Sequence, residues 1–119
     1  MLIENKVINC YRGDSAIEIL REFADRITYR IIVSIIHSPK TATQICTENK
    51  LPLSSTYKRI RKLYEDGLIT VERINIDCKG KKVLLYRSKI KSLEFNLKGD
   101  KISLQFDKND YSPRYSSIM

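Results

Sequence analysis

The chain has 119 residues, 42% of them hydrophobic, which suits one ordinary domain with a single core. Its 22 Lys and Arg residues outnumber its 14 Asp and Glu residues, and the formal net charge of +8 predicts an anionic partner. No apolar run approaches the roughly 20 residues that cross a bilayer, and the opening MLIENKVINCYRGD lacks the pattern of a secretory signal, so we expect a cytoplasmic protein with no membrane partner.

Two helices are the first predicted elements. Ser15 and Glu18 have the spacing of a capping box, and the apolar residues that follow recur at helical spacing, which predicts a helix over residues 16–24. The isoleucines of ITYRIIVSII form one apolar stripe and predict a second helix over residues 28–37, ended by Pro39.

A short helix, a turn and a longer helix follow. The segment TATQICTENK, beginning at Thr41, has few residues to bury and predicts a compact helix. A turn with Pro52 leads to a helix over residues 54–66, for which we predict Ser54 as the N-cap and Gly67 as the C-terminal stop.

The second half of the chain predicts two β-hairpins. Residues 68–76 and 83–86 are β-branched and apolar, and the segment DCKGKK joins them. A second hairpin turns at Gly99, because apolar and polar residues alternate on both sides of it. Its apolar residues are Leu93, Phe95, Leu97, Ile102, Leu104 and Phe106.

This order of elements predicts an α+β fold, a winged helix-turn-helix with three to four helices, a hairpin wing and an extra C-terminal hairpin. We predict one winged-helix domain over residues 1–107, with its core at 15–89, the extra hairpin at 92–107 and a flexible tail at 108–119. Residues 1–13 have too little pattern to assign a structure.

The predicted helix 54–66 carries the main functional signal. Its outward residues are basic or polar with no acid before Glu65, whereas an ordinary solvated helix mixes both signs. In a helix-turn-helix such a helix enters the major groove, where Lys58 or Arg59 would reach guanine edges, and lysines of the wing would bind phosphates. The predicted DNA-binding residues are Thr41, Thr43, Ser54, Ser55, Tyr57, Lys58, Arg59, Arg61, Lys62, Lys79, Lys81 and Lys82.

The segments ITYRIIVSII and TATQICTENKLPLSSTYKRIRKLYEDGLI resemble ArsR-type and related archaeal winged-helix regulators, a resemblance that covers residues 15–89. The resemblance implies dimeric, operator-binding transcription factors, some of which respond to metals. The metal-sensing members carry a Cys-x-Cys-type pair that this chain lacks, so metal sensing is not implied here.

No other site is predicted. Cys10, Cys46 and Cys78 lack the spacing of a zinc finger or a disulfide framework, so we expect neither a metal nor another cofactor. The single histidine, His37, and the lack of a Gly-rich phosphate loop give no catalytic constellation, and we expect no enzymatic activity.

Sequence-specific binding of double-stranded DNA by a homodimer is therefore the favoured function, and two alternatives stay open. One is a winged-helix module that binds a protein or RNA partner, and the other is a nucleoid protein that binds DNA without sequence preference. The apolar faces of the second hairpin need cover, either from the domain itself, as a lid, or from a second copy, as a dimer interface.

Overall fold

The computed structural model describes residues 9–110, and for Asn9 and Cys10 it describes the backbone alone. This part of the chain is an α+β fold with four helices and two small antiparallel sheets. The elements are β1 (Asn9–Arg12), α1 (Asp14–Phe23), α2 (Arg26–Ser34), α3 (Ala42–Asn49), α4 (Leu53–Glu65), β2 (Ile69–Ile76), β3 (Lys82–Ser88), β4 (Ile90–Lys98) and β5 (Lys101–Lys108). None of the helices in residues 9–110 is long and apolar enough to span a membrane.

The first two helices are present, but they start earlier than the sequence predicts. No side chain caps α1, which follows Gly13, so the predicted capping box at Ser15 is wrong. Asp25 caps α2 instead, because its carboxylate accepts a hydrogen bond of 2.9 Å from the backbone N–H of Thr28. Helix α2 ends at Ser34, before the predicted end, because Ile35 leaves the helical conformation.

Helix α3 has the capping box that α1 lacks. Thr41 accepts a hydrogen bond from the backbone N–H of Gln44, and the Gln44 side chain accepts one from the backbone N–H of Thr41. The predicted N-cap of the next helix, Ser54, is wrong, because α4 starts one residue earlier and Pro52 is its N-cap. The Pro52 carbonyl accepts from both the N–H and the hydroxyl of Thr56, at 3.1 and 2.6 Å.

Helix α4 ends at Glu65, one residue before the predicted end, and Gly67 is the predicted stop. Gly67 lies just beyond the helix with a φ of 79°, a conformation that glycine adopts without strain. Backbone bonds from Gly67 to the Tyr64 carbonyl and from Leu68 to the Leu63 carbonyl close the last turn, a Schellman motif. Leu63 and Leu68 are fully buried, so the same motif turns the chain into the core and on to β2.

Strands β2 and β3 form the first hairpin, with an irregularity between Val71 and Arg73. The chain between α2 and α3 adds a bridge to it, because Lys40 and Tyr86 exchange two backbone hydrogen bonds of 3.0 and 2.7 Å. This bridge holds the start of α3 beside β3.

The second sheet has the strand order β1-β5-β4, and β1 lies in the segment 1–13, for which the residue pattern predicts no element. Leu104 and Phe106 of β5 are buried in the core, and the ring of Tyr11 in β1 stacks on Phe106 at 5.7 Å. This part of the hairpin therefore covers its own domain, as the lid hypothesis expects. Phe95 and Leu97 of β4 remain 38% and 68% exposed.

The core lies between the helices and the second sheet. Its fully buried large residues include Ile31, Ile35, Ile45, Ile60, Leu63, Leu68 and Leu104. Asn109, which we expected in the flexible tail, is buried, and its side-chain amide donates to the carbonyls of Ile36 and Ser88 at 2.8 and 2.9 Å. Residues 111–119 of the predicted tail lie outside the described residues.

Candidate nucleic-acid interface

A cleft separates α4 from the β2–β3 hairpin, and we call it the helix–hairpin cleft. It consists of two adjoining hollows of about 520 and 540 Å³ that share Tyr57, Leu84 and Tyr86. Ile60 and Val71 line the first hollow, and Thr41 and other residues at the start of α3 line the second. The cleft therefore runs past three separate elements that the fold brings together.

Three of the tyrosines line the cleft with phenol groups. Tyr57 and Tyr64 on α4 are about half exposed, and Tyr86 on β3 is partly buried. Burial raises the pKa of the Tyr86 phenol, and the nearby phenols of Tyr57 and Tyr64 raise that pKa further. Tyr86 therefore keeps its proton at neutral pH and can donate a hydrogen bond to an anion in the cleft.

Cationic side chains line both sides of the cleft. Lys58 and Arg61 on α4 are exposed and line the first hollow, while Lys81 and Lys82 on the hairpin line the second. Among residues 9–110, Asp77 is the one carboxylate that lines either hollow. This described part of the chain therefore offers four cations and three phenol hydroxyls in the cleft to an anionic ligand.

Asp77 also shapes the tip of the β2–β3 hairpin. Its side-chain oxygen Oδ1 accepts hydrogen bonds from the backbone N–H groups of Lys79 and Lys81, at 2.9 and 2.8 Å. Two backbone bonds close the same turn, from Asp77 to the Lys81 carbonyl and from Gly80 to the Asp77 carbonyl. The lysines are thus carried by a turn that is already hydrogen-bonded without a ligand.

The remaining polar residues predicted at the site lie near the N-termini of α3 and α4. Thr41 and Thr43 line the second hollow, and the Thr41 hydroxyl also caps α3. Ser54 and Ser55 are exposed in the first turn of α4 but line neither hollow of the cleft.

Arg59 and Lys62 lie on a different side of α4, towards α1. The Arg59 Nε atom is 3.5 Å from the Asp25 carboxylate, and the Lys62 Nζ atom is 3.5 Å from the Asp66 carboxylate. The backbone hydrogen bond from Thr28, with the Arg59 charge adding to it, lowers the pKa of Asp25. Arg59 is therefore partly buried and paired, while Lys58 and Arg61 are the exposed cations beside the cleft.

Arg87, which follows the lysines of the β2–β3 hairpin in sequence, has a structural role. Its guanidinium contacts the Glu72 carboxylate at 2.6 Å and donates from Nε to the Ile36 carbonyl at 2.9 Å. Both side chains of this ion pair are largely buried. Although Arg87 lies close to these lysines in sequence, it is not a surface cation.

Two tyrosines of the cleft were missed at the sequence level, Tyr64 and Tyr86. The pattern predicts Tyr86 in a strand, but it does not indicate which side of the hairpin faces α4. The available signal for Tyr64 is its spacing of seven residues from Tyr57, which places both on one side of a helix.

Comparisons with known protein families and with curated proteins find no match to this chain. Within residues 9–110, no group of three or more His, Cys, Asp or Glu residues is arranged to hold a metal ion.

Proposed function

We propose that this protein is a winged helix-turn-helix regulator of transcription that binds double-stranded DNA with sequence preference. In this proposal α4 is the recognition helix, the β2–β3 hairpin is the wing, and the protein acts in the cytoplasm as an ArsR-like homodimer. The observation that carries the proposal is the helix–hairpin cleft, where cations and phenol hydroxyls from both elements converge.

The chemistry of the cleft suits a phosphodiester backbone. Half or more of protein–DNA hydrogen bonds go to phosphate and sugar, and cations, hydroxyls and backbone N–H groups supply them. With α4 in the major groove and the wing over the neighbouring backbone, one DNA strand passes along the cleft. Lys81, Lys82 and Tyr86 then contact phosphates, and this contact positions the protein without reading sequence.

Base recognition falls to the exposed residues of α4. Arg61 is exposed and has no acidic partner in the described residues, so its guanidinium is free to form a bidentate contact with a guanine edge. Lys58 is exposed on the same side of the helix, and Ser54 and Ser55 add adaptable hydroxyls one turn earlier. We assign no base-reading role to Arg59, because Asp25 already pairs with it.

Selection of binding sites from genomic DNA with the purified full chain tests this proposal. We expect enrichment of one palindromic sequence, which fluorescence anisotropy at fixed salt then compares with random DNA. Equal affinity for both would favour the nucleoid alternative. Absence of binding at about 50 mM salt would refute the proposal and favour a protein or RNA partner.

Two arginines of one helix provide a matched pair of variants. Arg61→Ala should cost about 1–3 kcal/mol of discrimination at one base position, whereas Arg59→Ala should leave sequence preference unchanged. Lys82→Ala should weaken binding to all sequences alike and lower the salt slope by about one, with Lys91→Ala on β4 as its control. A loss of preference in Arg59→Ala, with none in Arg61→Ala, would contradict the assignment of the groove-facing side.

A further inference from the structure

Strand β4 is a long strand at the edge of the second sheet. In residues 9–110 its outer edge pairs with no other strand, because β5 alone neighbours it. Phe95 and Leu97 point to the same face as the buried Leu104, since Phe95 is paired with Leu104 and side chains alternate along a strand. An exposed edge with large apolar residues is a ready site for pairing with another strand.

The turn that follows β4 determines which backbone groups face outward. Lys98 and Lys101 flank a two-residue turn, and Gly99 has a φ of 65°. The residues that flank such a turn form a hydrogen-bonded pair, and the direction of the backbone groups alternates along the strand. Leu97 and Phe95 therefore direct their N–H and C=O groups to the free edge, whereas Lys98, Asn96 and Glu94 direct theirs to β5.

We propose that two copies of this chain pair through β4, antiparallel, about a two-fold axis at Asn96. The odd-numbered residues of β4 direct their N–H and C=O groups to the free edge. They must therefore pair with odd-numbered residues of the second copy, and only a few registers meet this condition. An axis at Glu94 would place two carboxylates opposite each other, and an axis at Phe95 would leave Glu94 without a cation opposite it. The axis at Asn96 is the one of these three that places Glu94 opposite Lys98 of the second copy, twice, and Phe95 opposite Leu97.

The local charges favour this register further. Within one chain Lys98 lies opposite Lys101, a like-charge pair that is unfavourable. Glu94 of the second copy offsets this repulsion from the other side of Lys98. The two apolar faces join into one continuous face, in which Phe95 of one copy packs beside Leu97 of the other and part of each side chain loses contact with water.

Sedimentation equilibrium without DNA tests this interface, and with it the homodimer of the proposed function, separately from the proposed binding of DNA, so the interface and the DNA binding can each fail alone. We expect a mass twice the 13.9 kDa of one chain. Glu94→Lys and Lys98→Glu should each weaken the dimer about tenfold or more, and the double variant Glu94→Lys/Lys98→Glu should restore it. A monomeric wild-type protein, or single variants that associate like wild type, would overturn the proposal.

A disulfide measures the register directly. In this arrangement the two Asn96 Cα atoms lie about 4.5 Å apart in a non-hydrogen-bonded pair, within reach of a disulfide. In a Cys10→Ser/Cys78→Ser background, Asn96→Cys should form a covalent dimer on mild oxidation, and Lys91→Cys on the same strand should not. Equal cross-linking of both variants, or of neither, would refute the Asn96 axis.

Discussion

The buried ion pair between Arg87 and Glu72 joins the two strands of the first hairpin, and it allows a sharp test of what stabilises the fold there. Glu72 is 4% exposed, and the Arg87 side chain is 12% exposed. Arg87→Met keeps most of the aliphatic volume but leaves the Glu72 carboxylate buried without its cation. Removing one partner of such a pair costs about 3–5 kcal/mol, so we expect the free energy of unfolding to fall by that amount.

Urea denaturation followed by circular dichroism measures this change. Lys91→Met removes an exposed positive charge of the neighbouring strand and should stay within about 0.5 kcal/mol of wild type. The double variant Arg87→Met/Glu72→Leu should regain most of the loss, because it leaves no unpaired charge. If Arg87→Met and Lys91→Met unfold at the same urea concentration, the buried ion pair does not stabilise the fold.

Three further changes test local features. Gly67→Ala should lower the free energy of unfolding by about 1–2 kcal/mol, since Gly67 has a φ of 79°; an unchanged urea midpoint would contradict the Schellman motif. Asp77→Ala should speed amide exchange at Lys79 and Lys81, which lose their acceptor; unchanged rates at both amides would show that Asp77 does not order the tip. Burial, with the Asp66 carboxyl adding to it, raises the pKa of Glu22 from 4.5 to about 7. The stabilisation from this raised pKa is complete below about pH 4.5 and is lost as pH rises through 7, so Glu22→Gln should melt at a higher temperature than wild type at about pH 8 and lose most of this difference at about pH 5. Parallel pH profiles of Tm for the two proteins would refute that assignment.

Local patterns predicted the helices and hairpins well, because each is encoded within a short stretch. The isoleucine stripe of α2 and the alternation around Gly99 mark one apolar face each, and that periodicity is the same in any tertiary context. Helix starts were less predictable. Ser15 and Ser54 have N-cap chemistry, but Gly13 and Pro52 take the position before each helix.

The candidate site was likewise predictable from local sequence in one part and only from the tertiary structure in the other. The sequence by itself determined that basic and hydroxyl residues cluster on α4 and at the hairpin tip, because those residues are close along the chain. Only the tertiary structure decided which of these side chains are exposed to a ligand and which are already paired within the protein. Asp25 lies over 30 residues from Arg59 along the chain, and Ile36, which holds Arg87, is about 50 residues away, so no local pattern could show that these two arginines are engaged.

The second sheet shows the same limit. The sequence determined that each strand of the last hairpin has one apolar face, because alternation needs nothing beyond the strand itself. Only the tertiary structure decided that this face is divided between two environments. The core covers Leu104 and Phe106, whereas Phe95 and Leu97 extend past it and stay exposed, since a face is buried only as far as other elements reach.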